Sequence, residues 1–271
     1  MELHLTAVVV LDSVTKLQAD HRSAVVIAAS HGGAYSGYLA ASAGIAAIIL
    51  NNAGIGKDAS GVAALGYLQA YGVAAAAVDH FSARIGDGAD MMDNGLISHA
   101  NACALQHGCE PGMRVSQAAR LLATLSLAPA QPPTAINESR HALEAGAPVA
   151  IIGIDSVSLL SPDDKGALVV TASHGGLLAS SGSDSVDVPV RVISFHDAGG
   201  GKDDAGYGRL PSLARRGIAA VTVSADSARI GDASSCYHDG VISRANEPAQ
   251  KLGVKPGQTL KSFYAALRVD S

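Results

Sequence analysis

Three pairs of short polar stretches in this chain hold residue types able to do chemistry. His31-Gly32-Gly33 and His174-Gly175-Gly176 set an imidazole beside two glycines. Backbone N–H groups of such glycines can face a developing oxyanion while the His serves as acid, base or ligand. Gly54-Ile55-Gly56-Lys57-Asp58 and Gly199-Gly200-Gly201-Lys202-Asp203 add a cation to a turn that could cradle an anion at a helix N-terminus. Ser82-Ala83-Arg84-Ile85-Gly86-Asp87 and Ser227-Ala228-Arg229-Ile230-Gly231-Asp232 supply a guanidinium suited to carboxylate or phosphate, and a hydroxyl that a Lys or His could activate.

On this reading the catalytic candidates are His174, Lys202 and Ser227, with His31, Lys57 and Ser82 as their counterparts. The substrate-binding candidates are Gly175, Gly176, Gly199, Gly201, Arg229 and Asp232, with Gly32, Gly33, Arg84 and Asp87. Each also has a structural reading. Glycines make turns, Asp58 and Asp203 cap helices, Arg–Asp pairs lock loops, and Ser82 and Ser227 form turns at strand ends. The Lys motif is no P-loop, because Asp stands where Ser or Thr would bind magnesium and the leading Gly is missing. Asn51-Asn52-Ala53-Gly54 is similar to a stretch of short-chain dehydrogenases, yet that family's glycine fingerprint and Tyr-x-x-x-Lys pair are absent. The likeness carries no argument.

The pairs belong to a longer repeat. Leu11-Asp12-Ser13-Val14 returns as Ile154-Asp155-Ser156-Val157, Gly95-Leu96-Ile97-Ser98 as Gly240-Val241-Ile242-Ser243, and Pro111-Gly112 as Pro256-Gly257. The order is kept, with a two-residue insertion before His196 in the second copy. The expected organisation is two tandem copies of a Rossmann-like α/β unit, residues 1–125 and 147–271, as a pseudo-twofold pair. Residues 126–146 link them, with a Pro-rich run at Ala128–Pro133 and a short helix expected over Glu138–Ala145. The copies differ where Asn51-Asn52 becomes His196-Asp197 and Asp93-Asn94 becomes His238-Asp239. His196, Asp197, His238 and Asp239 are therefore the residues to weigh for a divalent metal, although no metal or other cofactor is expected. This enrichment makes the second copy the expected seat of activity.

Positioning these residues falls to strands. Apolar runs at Thr6–Leu11, Ala24–Ala29, Ile45–Leu50 and Val73–Val78 recur at Val149–Ile154, Ala167–Thr171, Val190–Phe195 and Ile218–Val223. Helical patterns lie between them, over Ser60–Tyr71 and Val115–Thr124. Alternation of this kind signals a largely parallel sheet covered by helices. The polar motifs follow strand ends, where ligand crevices of open α/β sheets lie.

Hydrophobic residues make up 48% and charged residues 16%, so a substantial core is expected, and with no Trp it must be built from Ala, Val, Ile and Leu. A net charge of −5 offers no field for nucleic acid or an anionic membrane surface. Apolar runs fall short of the roughly 18 to 20 residues of a membrane span, and no signal peptide is read, so a soluble cytoplasmic protein is expected. Self-association as a homo-oligomer fits the Ala-rich composition. Cys103, Cys109 and Cys236 have neither metal-ligand spacing nor an even count, and read as reduced. The expected function is an enzyme acting on a small carboxylate-bearing metabolite, with hydrolysis of an amide or other C–N bond first. Isomerase or lyase chemistry by proton abstraction beside a carboxylate is the second reading, and a non-catalytic binding or assembly protein the third.

Overall fold

Strands with no polar residue to offer solvent have to be covered on both faces, and the first half of the chain does this with short helices. A computed structural model describes residues 6–125, 132–144 and 149–269. Its strands β1 (Val8–Leu11), β2 (Val25–His31), β3 (Ala47–Asn51), β4 (Ala74–Val78) and β5 (Ile97–Ala100) form one sheet in sequence order. The first four are parallel and β5 returns antiparallel to β4. The helices are α1 (Ala34–Ala43), α2 (Ala63–Gln69), α3 (Gly88–Asn94), α4 (Ala102–Gln106) and α5 (Val115–Leu122). Successive strand residues point to opposite faces. Accordingly Val25, Ile27 and Ala29 join Met91, Ala104 and Leu122 in one core layer, while Val26 and Ala28 join Ala40, Leu65 and Leu68 in the other.

The second half is also a mostly parallel sheet with helices, with one strand more and, among the described residues, one α-helix fewer. β6 (Arg140–Glu144), β7 (Ile151–Ile154), β8 (Leu168–His174), β9 (Val192–His196), β10 (Ala219–Val223) and β11 (Ile242–Ala245) form a six-stranded, mostly parallel sheet. Its helices are α6 (Arg209–Arg215), α7 (Ala233–His238), α8 (Glu247–Lys251) and α9 (Leu260–Val269). All eight expected strands appear within two or three residues of their expected bounds. The helix expected over Ser60–Tyr71 is instead a 3-10 turn over Lys57–Val62 followed by α2. Gly72, at φ 71°, then turns the chain into β4. Among the described residues no helix is long and apolar enough to cross a membrane.

One expectation is corrected. The helix over Glu138–Ala145 is a strand over Arg140–Glu144, antiparallel to β7; Ala145, like linker residues 126–131, lies outside the described residues. The edge of β7 presents unpaired backbone groups that a passing segment can satisfy. Gly153 leaves a side-chain slot in β7 that Leu143 fills, and Arg140 forks onto the buried carboxylate of Asp164 at 2.9 and 2.5 Å. These long-range partners outweigh the helical preference of a segment too short to hold itself.

The carboxyl ends of the two sheets face each other. Lys57 donates its backbone N–H to Ala225 and Lys202 donates to His80, each at 2.8 Å. Ala53 and Ile85 meet Ala198 and Ile230 in a small apolar cluster that joins the halves.

Candidate functional site

The loops carrying the polar motifs follow the carboxyl ends of β2, β3 and β4 and of β8, β9 and β10, so face-to-face sheets bring them together. Much of their chemistry is spent on that contact. Lys57 pairs with Asp239 at 2.9 Å and Lys202 with Asp90 at 2.6 Å. Arg84 holds Asp87 at 3.0 Å and Asp203 at 2.9 Å, and Arg229 holds Asp232 and Asp58 at the same 2.9 Å. Asp87 and Asp232 also cap α3 and α7. Asp58 and Asp203 cap nothing, contrary to the structural reading of the sequence. They sit at φ 55° and reach across to the opposite Arg. Arg229 thus faces two carboxylates already.

The glycine-rich turns hold no open cradle. A Cβ on Gly54 would stand 2.8 Å from Cα of Gly199, and the reverse is equally true. The two backbones touch, and only glycine permits it. A Cβ on Gly201 would stand 3.0 Å from the carbonyl oxygen of His80.

Ser82 and Ser227 are bonded both ways. Ser82 Oγ donates to Asp79 O at 2.7 Å and accepts from Leu96 N at 2.9 Å; Ser227 Oγ donates to Ser224 O at 2.8 Å and accepts from Val241 N at 2.9 Å. Their hydroxyls fasten turns. Asn51 and His196 prove chemically interchangeable. Asn51 donates to Ala83 O and accepts from Ala53 N; His196 donates from Nε2 to Ala228 O and accepts at Nδ1 from Ala198 N. Asn52 and Asp197 likewise both receive the backbone of the following glycine. His196 therefore has no lone pair left for a metal, Asp239 is committed to Lys57, and His238 packs edge-on against Tyr237. Among the described residues no group of three or more His, Cys, Asp or Glu could hold an ion.

His31 and His174 are different. Each accepts at Nδ1 from a backbone N–H two residues on, Gly33 or Gly176, at 3.1 Å. The proton of the neutral ring is thereby fixed on Nε2. Burial, with His196 nearby, brings His31 down to about 4; burial, Arg209 and the neighbouring imidazoles push His174 well below its ordinary range. Both rings are neutral Nε2–H donors at physiological pH.

These rings line a cavity between the halves, in two adjoining chambers of about 200 and 140 Å³ that share His31, Tyr35, Glu138, Ser156 and Ser173. The larger chamber adds Gly33, Arg229 and Gly231; the smaller adds His174, Arg209 and several serines. Among the described residues, the matching position in the other half is occupied. At the matching position beside Gly86, the segment after Gly176 fills the space: Ala179 N bonds Gly86 O at 2.9 Å and Ser180 N bonds Asp12 at 2.7 Å. In the open cleft Asp155 is held by Ser139 at 2.8 Å, and this places Glu138 in the wall. Burial pushes the Glu138 carboxyl up to about 7, with Ser156 hydrogen-bonding against that rise and Asp155 adding to it.

The cavity thus brings together His31, Gly33, His174 and Arg229 from the sequence motifs. Gly231 and Asp232 of the same motifs line it too, with Asp155 and Tyr35; Glu138 and Arg209 stand outside those motifs. A signal for Arg209 lay in the repeat itself, where the matching residue of the first copy is Ala64. Nothing local marks Glu138. No family model, no curated protein and no solved structure matches this chain.

Proposed function

We infer that this protein is an enzyme acting on a small carboxylate-bearing metabolite by moving a proton in the cavity between the sheets. One observation carries the reading: Glu138, a carboxyl half-protonated near neutral pH, shares a cavity wall with a neutral His31 whose ring proton is fixed on Nε2. An acid–base group works best when its pKa lies near the operating pH, and a neutral imidazole N–H polarises a carbonyl without giving up its proton. Glu138 takes and returns the proton while His31 donates to the oxygen on which charge develops.

Hydrolysis of a C–N bond, the first reading of the motifs, requires an activated nucleophile. Both hydrogen-bonding functions of Ser227 are used inside its turn, which favours isomerase or lyase chemistry instead. The same inference takes residues 1–125 and 147–271 as Rossmann-like duplicates in a pseudo-twofold pair. The matched bonds of Asn51 and His196 support it. One cleft was then kept for catalysis and the other filled.

The test is proton exchange. Small hydroxy-, keto- and amide-bearing carboxylates are incubated with the protein in D2O and followed by proton NMR. Deuterium should enter beside the carboxylate of a substrate, and Glu138→Gln should slow entry by about a hundredfold or more. No exchange and no consumption across the set would remove the enzyme reading. Consumption without exchange, unaffected by Glu138→Gln, would restore hydrolysis.

A further inference from the structure

Arg209 stands apart from the other cations around the sheet ends. Its guanidinium is buried, with the residue 3% exposed, and Nε donates to Gly176 O at 3.0 Å while the group lies 4.9 Å from the ring centre of Phe195. Nη1 has no hydrogen-bond partner. Among the described residues no carboxylate lies within ion-pairing distance of it. Asp184, the acid whose charge it feels, is committed to Arg216 and to Ser212, each at 2.8 Å. Burial lowers Arg209 only to about 10, so it remains charged at neutral pH. A buried charge with an unused donor is costly unless something completes it.

We propose that Arg209 anchors the carboxylate of a small monoanionic ligand in the serine-lined chamber, leaving the other end of that ligand against Glu138 and His31. The unused donor belongs to a residue lining this chamber, which shares its wall with the larger one. The imidazoles of His31 and His174 are neutral and Glu138, in the same wall, is raised to about 7, so the chamber offers at most one positive charge and a single negative charge suffices to balance it. A phosphate dianion would leave charge uncompensated. Serine hydroxyls, Ser158 and Ser173 among them, line the same chamber and suit a ligand rich in oxygen. Ala64 at the matching position of the first half leaves no such anchor there. The assignment of the second end rests on the proton-transfer reading; the anchor does not.

The probes are pyruvate, lactate, acetate and inorganic phosphate, titrated calorimetrically into the full-length protein at pH 7. At least one of the carboxylates should bind, phosphate more weakly, and Arg209→Met should weaken that carboxylate roughly ten- to a hundredfold, with Arg209→Lys retaining part of the affinity. Circular dichroism and unliganded melting of both variants report folding. Should Arg209→Met fail to fold, crystals of the wild-type protein grown with the tightest carboxylate decide the matter by whether its density lies against the Arg209 guanidinium. Carboxylate binding that ignores Arg209→Met, density elsewhere, preference for phosphate, or no binding by any probe would overturn the anchor. Arg209-dependent binding without exchange in D2O would keep the anchor and discard the proton-transfer reading.

Discussion

At the scale of single residues, protonation is what separates the groups of this cavity from the ion pairs around them. Glu138 has its carboxyl raised from about 4.5 to about 7, so the folded chain holds this proton more tightly than the unfolded chain does. The stability this contributes is complete below about 4.5 and is lost as pH rises through about 7. Glu138→Gln cannot ionise and escapes that loss. The variant should therefore melt at or below the wild-type temperature at pH 4, and its melting temperature relative to wild type should climb by several degrees between pH 5 and 8. Calorimetric scans at matched ionic strength check this; a difference that stays flat with pH would mean that Glu138 titrates normally in contact with water. His31 runs the other way, its pKa lowered to about 4 from 6.5, so its contribution is complete above 6.5 and lost as pH falls towards 4. The motif residues were legible in the sequence as polar groups at strand ends. Their roles were not, because an Arg that meets substrate and an Arg that meets Asp58 across an interface have the same sequence neighbours.

At the scale of elements, the strands were the readable part, since unbroken apolar runs bounded by glycine and polar turns have few other places to go. What escaped was decided by partners distant in sequence. The strand over Arg140–Glu144 exists because β7 has an open edge, a glycine slot and the buried carboxylate of Asp164, 1% exposed, waiting for Arg140. The glycine-rich turns look like ligand loops for a similar reason: close backbone contact and ligand binding both select glycine. Substitution separates the two. Gly54 has φ 76° and an opposing backbone 2.8 Å from its would-be Cβ, whereas Gly112 has φ 89° and open space. Gly112→Ala should cost only the left-handed strain, about 1 kcal/mol. Gly54→Ala carries that strain and a clash that neither half can relieve alone, and should cost roughly 3 kcal/mol or more in urea unfolding. Equal losses would mean that the halves do not touch at Gly54.

At the scale of the whole molecule, the repeat predicts symmetry and the cavity depends on its breakdown. Loops of matching sequence end both sheets, and different segments meet them: Ala179–Ser180 fill the space beside Gly86 and Asp12, while Glu138 enters the wall of the cavity beside Gly231. Internal comparison of the copies exposes the shared loops but cannot say which cleft is closed. That outcome depends on how the filling segment and residues 136–139 run in space. The ion pairs across the halves are asymmetric as well. Lys202 reaches Asp90 on α3, where the matching residue of α7 is Ser235; Lys57 reaches Asp239, where the matching residue is Asn94. These positions are one helical turn apart on the same face, so each lysine finds an acid, at different depths. The Asp90 side chain is 3% exposed and would be left buried against Arg84 alone among the cations, whereas that of Asp239 is 36% exposed. Lys202→Met should therefore destabilise by about 2 kcal/mol and Lys57→Met by under about 1 kcal/mol. Salt distinguishes them further, since 1 M NaCl screens the exposed pair and not the buried one. The loss from Lys202→Met should persist in high salt while that from Lys57→Met disappears. Losses that are equal and equally salt-sensitive would mean that water reaches both pairs, and that the sheet ends do not close on each other as tightly as the contact between Gly54 and Gly199 demands.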